Sequence, residues 1–193
     1  MSKLILQRLK ERFGDDVLET SSFQGDDVAV VKPARWREVA EFVKTDPRCA
    51  CDYFVDLSVI DRCDPRTDDL EMEDRFEVYF IAYSMTKKHR VRVKTRLPGA
   101  DPRVATITGV WQGANWQERE AWDMFGVKFE GHPDLRRILM YEEFEGHPLR
   151  KDYPANRAQP LVPYREGTFD KLGPFLQDEG MPFNRSPQPD ESN

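Results

Sequence analysis

The sequence predicts an α+β fold: a small, mainly antiparallel or mixed sheet with helices packed on it, followed by a long extended C-terminal arm. Three observations lead there. Apolar residues recur with helical period in some segments and alternate with a period of two in others. Those segments run in the order α-β-β-α-β-β-β-α, which gives a compact layer of helices on a sheet. Proline and glycine then crowd the last third: residues 126–193 hold 9 of the 14 prolines and 6 of the 11 glycines. Proline removes backbone donors and glycine weakens regular elements, so this part is expected to be irregular. The chain divides accordingly into an α+β domain, residues 1–125, and an extended, partner-wrapping arm, residues 126–193.

Taken in order, Leu4/Ile5, Leu9 and Phe13 mark one face of a helix that Gly14 stops. Val17–Phe23 and Val28–Val31 read as strands around a turn at Gln24-Gly25-Asp26-Asp27. Pro33 opens a second helix, where its missing N–H costs nothing. Trp36, Val39, Ala40 and Val43 recur at i, i+3, i+4 and i+7, and Asp46-Pro47 ends the run. Strands follow at Tyr53–Ile60, Arg75–Ser84 and His89–Arg96. The middle one is apolar on both faces, as a central strand is, and the last alternates Arg90, Arg92, Lys94 and Arg96 onto one cationic face. The charged stretch 61–74 reads as a solvated loop. After the short segment Arg103–Trp111 comes a third helix, with Asn115 as its N-cap, Glu118 three positions on in a capping-box pattern, and Gly126 as the C′ turn.

Composition narrows the function. Lys+Arg number 29 against 35 Asp+Glu, a net charge of −6, which argues against a nucleic-acid binder held by phosphate neutralisation. No apolar run approaches the ~20 residues of a membrane span. The N-terminus lacks the pattern of a signal peptide. Three cysteines cannot all pair, so a reducing compartment and a soluble cytoplasmic chain are expected.

Few residues point to chemistry. Cys49, Cys51 and Cys63 fall one thiolate short of an iron–sulfur or zinc set. His132 and His147 sit in identical Gly-His-Pro tripeptides without the helical spacing of a hydrolytic zinc site, and read as turns with a docking contact. Glu118, Glu120 and Asp123 bring carboxylates together, but Arg119 lies four residues before Asp123 and can neutralise it, so an ion-pair network outranks acid–base catalysis. Phosphate-binding and nucleophile motifs are missing. The arm still carries Phe129, Leu135, Ile138, Tyr153, Leu161, Phe169, Phe175 and other large apolar residues that a solvating tail would not. An extended segment cannot bury them against itself; seating them on another protein resolves the conflict, and obligate interfaces bury about 2,000–5,000 Å².

Two blocks carry a resemblance. Glu118-Arg119-Glu120-Ala121-Trp122-Asp123-Met124-Phe125, then His132, then Arg136-Arg137-Ile138-Leu139, resembles the signature of the thirty-kilodalton, or C, subunit of respiratory complex I, the proton-pumping NADH:quinone oxidoreductase. Phe144-Glu145-Gly146-His147-Pro148-Leu149-Arg150-Lys151-Asp152-Tyr153-Pro154 is similar to the family's second conserved stretch, and Gly109-Val110-Trp111 and Ala114-Asn115-Trp116 fit upstream. Met140-Tyr141-Glu142-Glu143 departs from the pattern, so the local turn is expected to differ. The resemblance implies a structural subunit of the peripheral arm on the cytoplasmic face of the bacterial inner membrane, attached to the membrane only through its complex. It implies no cofactor in this chain, with FMN and iron–sulfur clusters in partner subunits. The implied partners are the large quinone-site subunit, unfused to a chain ending at Asn193, and adjacent iron–sulfur subunits. Glu118, Arg119, Glu120 and Asp123 would fix the last helix of the domain; His132, Arg136, Arg137, His147, Arg150, Lys151 and Tyr153 would anchor the arm. The equivalent subunit of a membrane-bound hydrogenase, or of an F420-type or ferredoxin-linked complex, shares the motif. An independent redox enzyme using the cysteines and a free-standing binding module are the readings from other classes.

Overall fold

The structure, a computed structural model, describes residues 3–64, 70 and 72–160. Helix α1 (Leu4–Phe13) precedes strands β1 (Val17–Phe23) and β2 (Asp26–Val31); α2 (Trp36–Thr45) precedes β3 (Tyr53–Asp61), β4 (Phe76–Ser84) and β5 (His89–Leu97). Short strands β6 (Arg103–Ala105) and β7 (Lys128–Glu130) flank helix α3 (Ala114–Phe125). The five long strands form one sheet in the order β1-β2-β5-β4-β3. Only β2 and β5 run parallel within it, so the sheet is mixed. The α+β class read from the periodicities is the one observed.

Local chemistry accounts for the joints. Gln24 and Gly25 both have positive φ, 50° and 90°, the signature of the tight hairpin turn that matches strand twist. Asp26 and Asp27 are therefore strand residues, paired with Phe23 and Ser22, and not part of the turn as their polarity predicted. Pro33 opens a single 3-10 turn, Pro33–Arg35, ahead of α2.

The core lies on one side of the sheet. Phe76, Val78, Phe80 and Ala82 of β4 are fully buried. Trp36 of α2 meets the Phe80 ring edge-on at 5.0 Å, and Trp111, just before α3, packs on Phe80 at 5.5 Å and on Phe54 at 5.7 Å. Each such side chain contributes about 1.5–3 kcal/mol of burial. The opposite face carries Tyr79, Ile81 and Tyr83, half-buried. The cationic face of β5 exists but is largely neutralised: Arg90 pairs with Asp26 at 2.5 Å, Lys94 with Glu77 at 2.6 Å and Arg96 with Glu19 at 3.0 Å.

Two expectations change. Asp61 belongs to β3, and Arg75 precedes β4 instead of opening it. Both are buried, because they pair with each other; residues 65–69 and 71 of the predicted loop lie outside the described residues. Residues 126–159 form one compact unit with the preceding elements, held by turns and by β7, which pairs in parallel with β6. The apolar residues from Leu161 onward lie outside the described residues.

Candidate functional site

The signature residues converge on the C-terminal end of α3. A helix leaves its last four carbonyls without intrahelical partners. Here all four are satisfied. Gly126, in the left-handed conformation at φ 77°, returns its N–H to the Trp122 carbonyl at 2.8 Å. Nδ1 of His147 donates to the Asp123 carbonyl at 2.9 Å. The backbone N–H of Leu149 reaches the Met124 carbonyl at 3.1 Å, and Nε of Arg150 donates to the Phe125 carbonyl at 2.5 Å. The second signature block is thus the cap of the helix that carries the first. Arg150 also sets its positive charge at the negative end of the helix dipole. A Cβ at Gly126 would lie 2.6 Å from the His147 ring and would also strike Arg150, which fixes glycine there.

Asp123 organises the following turn. Its fully buried carboxylate receives Arg137 Nη1 at 2.6 Å on one oxygen. The other oxygen accepts the backbone N–H groups of Ile138, Leu139 and Met140 at 3.1, 2.9 and 2.9 Å. Burial pushes its pKa up, but the donors from Met140, Leu139, Arg137 and Ile138 outweigh that and hold it below the usual carboxylate range. Arg137 further donates to the carbonyls of Phe144 and Gly146, and its guanidinium lies over the rings of Trp122 and Phe144. The expected pairing of Arg119 with Asp123 is replaced: Arg119 donates to the carbonyls of Arg136 and Arg137, because Arg137 already occupies the carboxylate.

Glu118 sits one turn earlier and is also fully buried. It does not complete a capping box. The helix starts at Ala114, Gly113 takes the N-cap position, and no side chain caps it. Glu118 turns inward instead, accepting the Ile107 N–H at 2.7 Å and the Thr106 hydroxyl at 2.6 Å. Burial pushes its carboxyl up to about 7, against the lowering effect of those two donors. His132 Nε2 lies 4.0 Å from it, beyond hydrogen-bond reach, and donates to the Asn115 carbonyl at 3.3 Å while Nδ1 accepts the Asp134 N–H. Burial lowers the His132 pKa, so the ring is neutral at pH 7. His147 is held down in the same way, first by burial and then by the nearby Arg150 and Arg137.

A second anchor ties residues 150–153 to the sheet. Arg75 forks onto Asp61 through Nε at 3.1 Å and Nη2 at 3.0 Å, and Nη2 also reaches Asp152 at 2.5 Å. Asp61 accepts the Lys151 backbone N–H at 2.9 Å, so Lys151 acts through its main chain. The Arg75 and Arg150 guanidiniums both lie over the Phe76 ring, at 4.8 and 5.2 Å. Tyr153 stacks on Phe144 and receives the Gln159 side-chain amide.

Three of the singled-out residues stay at the surface: Glu120 and Lys151 are exposed, and Arg136 is exposed and pairs with Asp134. Sequence reasoning missed Asp61, Arg75 and Thr106, whose partners lie 90, 77 and 12 residues away; only Asp152, inside the second block, carried a local signal. Burial pushes the thiols of Cys49 and Cys51 up to about 12, leaving them protonated and unreactive. No group of His, Cys, Asp and Glu side chains that could hold a metal ion occurs among the described residues.

The family described as the respiratory-chain NADH dehydrogenase 30 Kd subunit matches residues 29–159, a span that includes both anchors. This chain belongs to that family. The NADH-quinone oxidoreductase C 2 subunit of Rhizobium etli is 44% identical over 167 residues, covering 86% of this chain and 80% of that protein. The NADH-quinone oxidoreductase C/D subunit of Acinetobacter baumannii is 39% identical over 180 residues, covering 93% of this chain and 29% of that longer one. Among solved structures, the trypsin-resistant fragment (1-134) of Nqo5 superposes with a TM-score of 0.56 at 29% identity, over 68% of this chain and 100% of that one. No helix among the described residues is long and apolar enough to cross a membrane.

Proposed function

We propose that this chain is a structural subunit of the peripheral arm of a proton-translocating NADH:quinone oxidoreductase, and that it supports electron transfer without binding a cofactor. The observation that carries this reading is the use made of the signature residues. Asp123, Arg137, His147 and Arg150 spend their polar atoms on the backbone and side chains of α3 and the segment it holds. Groups committed in this way build a rigid surface for assembly; they are not aimed at a substrate. FMN and the iron–sulfur clusters reside in partner subunits. The main partners are the large quinone-site subunit and the adjacent iron–sulfur subunits; partnership with another subunit of the complex is supported by the Acinetobacter relative, in which one polypeptide carries both the C and the D designation. The membrane is reached through those partners, on the cytoplasmic face of the bacterial inner membrane.

The test is affinity purification of a tagged chain from mildly solubilised native membranes, with identification of the co-purifying chains and an assay of NADH:quinone activity. Flavin, iron–sulfur and membrane subunits recovered with NADH activity are expected. A set with a hydrogenase or a ferredoxin-linked donor would keep the architecture and change the electron source. A chain recovered alone and monomeric would overturn the proposal.

A further inference from the structure

The face of the sheet opposite the helices holds a concave site that none of the signature residues explains. Strand register sets Tyr53 beside Tyr83, Tyr83 beside Arg90, and Ile81 beside Arg92. In β3 the register shifts between Phe54 and Asp56, leaving Val55 as the extra residue of a bulge. That bulge lets Phe54 turn into the core against Trp111 while Tyr53 and Val55 stay 55% and 45% exposed. Together with Met85 they line a cavity of about 340 Å³. Tyrosine, methionine and arginine around apolar walls are the residue types that anchor protein partners.

The charged residues at this cavity, Asp26, Asp27, Arg90 and Arg92, balance in number but differ in their partners. Asp26 is engaged by Arg90 at 2.5 Å, and Asp27 accepts the Ser22 hydroxyl at 2.6 Å. Along β5, Arg90, Lys94 and Arg96 each have a carboxylate partner. Arg92 has none among the described residues. Its guanidinium lies over the Tyr79 ring at 5.4 Å, and its Nε is buried without an acceptor. Arg92 lines the cavity without a carboxylate partner, and a guanidinium in that state pairs with an incoming anion.

We infer that this cavity receives a segment of a partner polypeptide presenting an apolar or aromatic side chain next to a carboxylate. The side chain enters between Tyr53, Val55, Ile81 and Tyr83, and the carboxylate pairs with Arg92. This rests on the reading of the chain as an assembly subunit and adds to it a second docking face, away from the end of α3.

The test places a photo-crosslinking amino acid at Val55 of the tagged full-length chain, isolates the assembled complex, irradiates it and maps the adducts by mass spectrometry. The expected adduct is a partner-subunit peptide with Asp or Glu adjoining an apolar residue. Arg92→Glu should lower its yield about tenfold, as loss of a single charged contact does, and replacing the mapped acid by Lys should restore the Arg92→Glu chain. That rescue separates lost contact from lost folding. Adducts on a second copy of this chain, on lipid only, or on nothing within an intact complex would overturn the inference. A chain that fails to co-purify with any complex would instead overturn the proposed function.

Discussion

Glu118 and Asp123 are carboxylates on one helix, five residues apart and both fully buried, yet their environments push them in opposite directions. Asp123 has a guanidinium and three backbone N–H groups, enough to stay ionised. Glu118 has one backbone N–H and one hydroxyl, neither charged, so burial prevails and its carboxyl rises to about 7. Burial alone therefore does not decide the charge of a carboxylate; the number and charge of its donors do. The C-terminal end of α3 is built to hold a charge permanently, and the region around Glu118 to hold a proton up to neutral pH.

The change expected to matter most strikes the charged end. Asp123→Ala strands Arg137 and three backbone donors, and should cost about 3–5 kcal/mol in urea unfolding of the full chain. A loss below about 1 kcal/mol would mean the turn after β7 does not depend on this carboxylate. Next is Gly126→Ala, which forces an Ala into φ 77° and against His147 and Arg150. It should cost about 2–4 kcal/mol and expose residues 147–153 to protease.

Glu118→Gln sharpens the contrast through pH. A carboxyl whose folded pKa lies above its unfolded value stabilises the fold fully below the unfolded pKa, and that contribution is lost as pH rises through the folded one. Wild-type stability should therefore fall between about pH 4.3 and 7, by on the order of 3 kcal/mol, from this group alone. The Gln variant should show a flatter profile over that window in denaturant midpoints. Asp123 and Asp61, held low by their donors, act in the opposite sense: their contribution is present above about pH 3.9 and fades as pH falls through their folded pKa values. The smallest effect is expected from Asn115→Ala. Since Asn115 caps nothing with its side chain, the change should stay within about 0.5 kcal/mol, whereas a true N-cap would cost ~1 kcal/mol.

These residues also show what the sequence made legible. The helical period at Trp36, Val39, Ala40 and Val43 and the alternation at Phe76, Val78, Phe80 and Ala82 place the core correctly, because burial follows local periodicity. Gly126 was legible as a stop because a left-handed C′ position favours glycine. The partners were not. Glu118 had the spacing of a capping box, but a buried backbone N–H at Ile107, eleven residues upstream, offered a better use for its carboxylate. Arg119 had the right helical spacing to Asp123 and lost the place to Arg137, fourteen residues on. Local rules see only neighbours on one helix. The Asp61–Arg75–Asp152 cluster, closed across 90 residues by the Lys151 amide, left no trace in either segment alone.

If the second signature block fastens itself to α3 for assembly and does no chemistry, Arg150→Ala is the variant that shows it most directly. The complex is purified through a tag on this chain, and both its amount and its NADH:quinone turnover per assembled complex are measured. A large loss of assembled complex is expected, with turnover per complex nearly unchanged. Normal assembly with lost turnover would contradict this role and give Arg150 a direct part in the reaction.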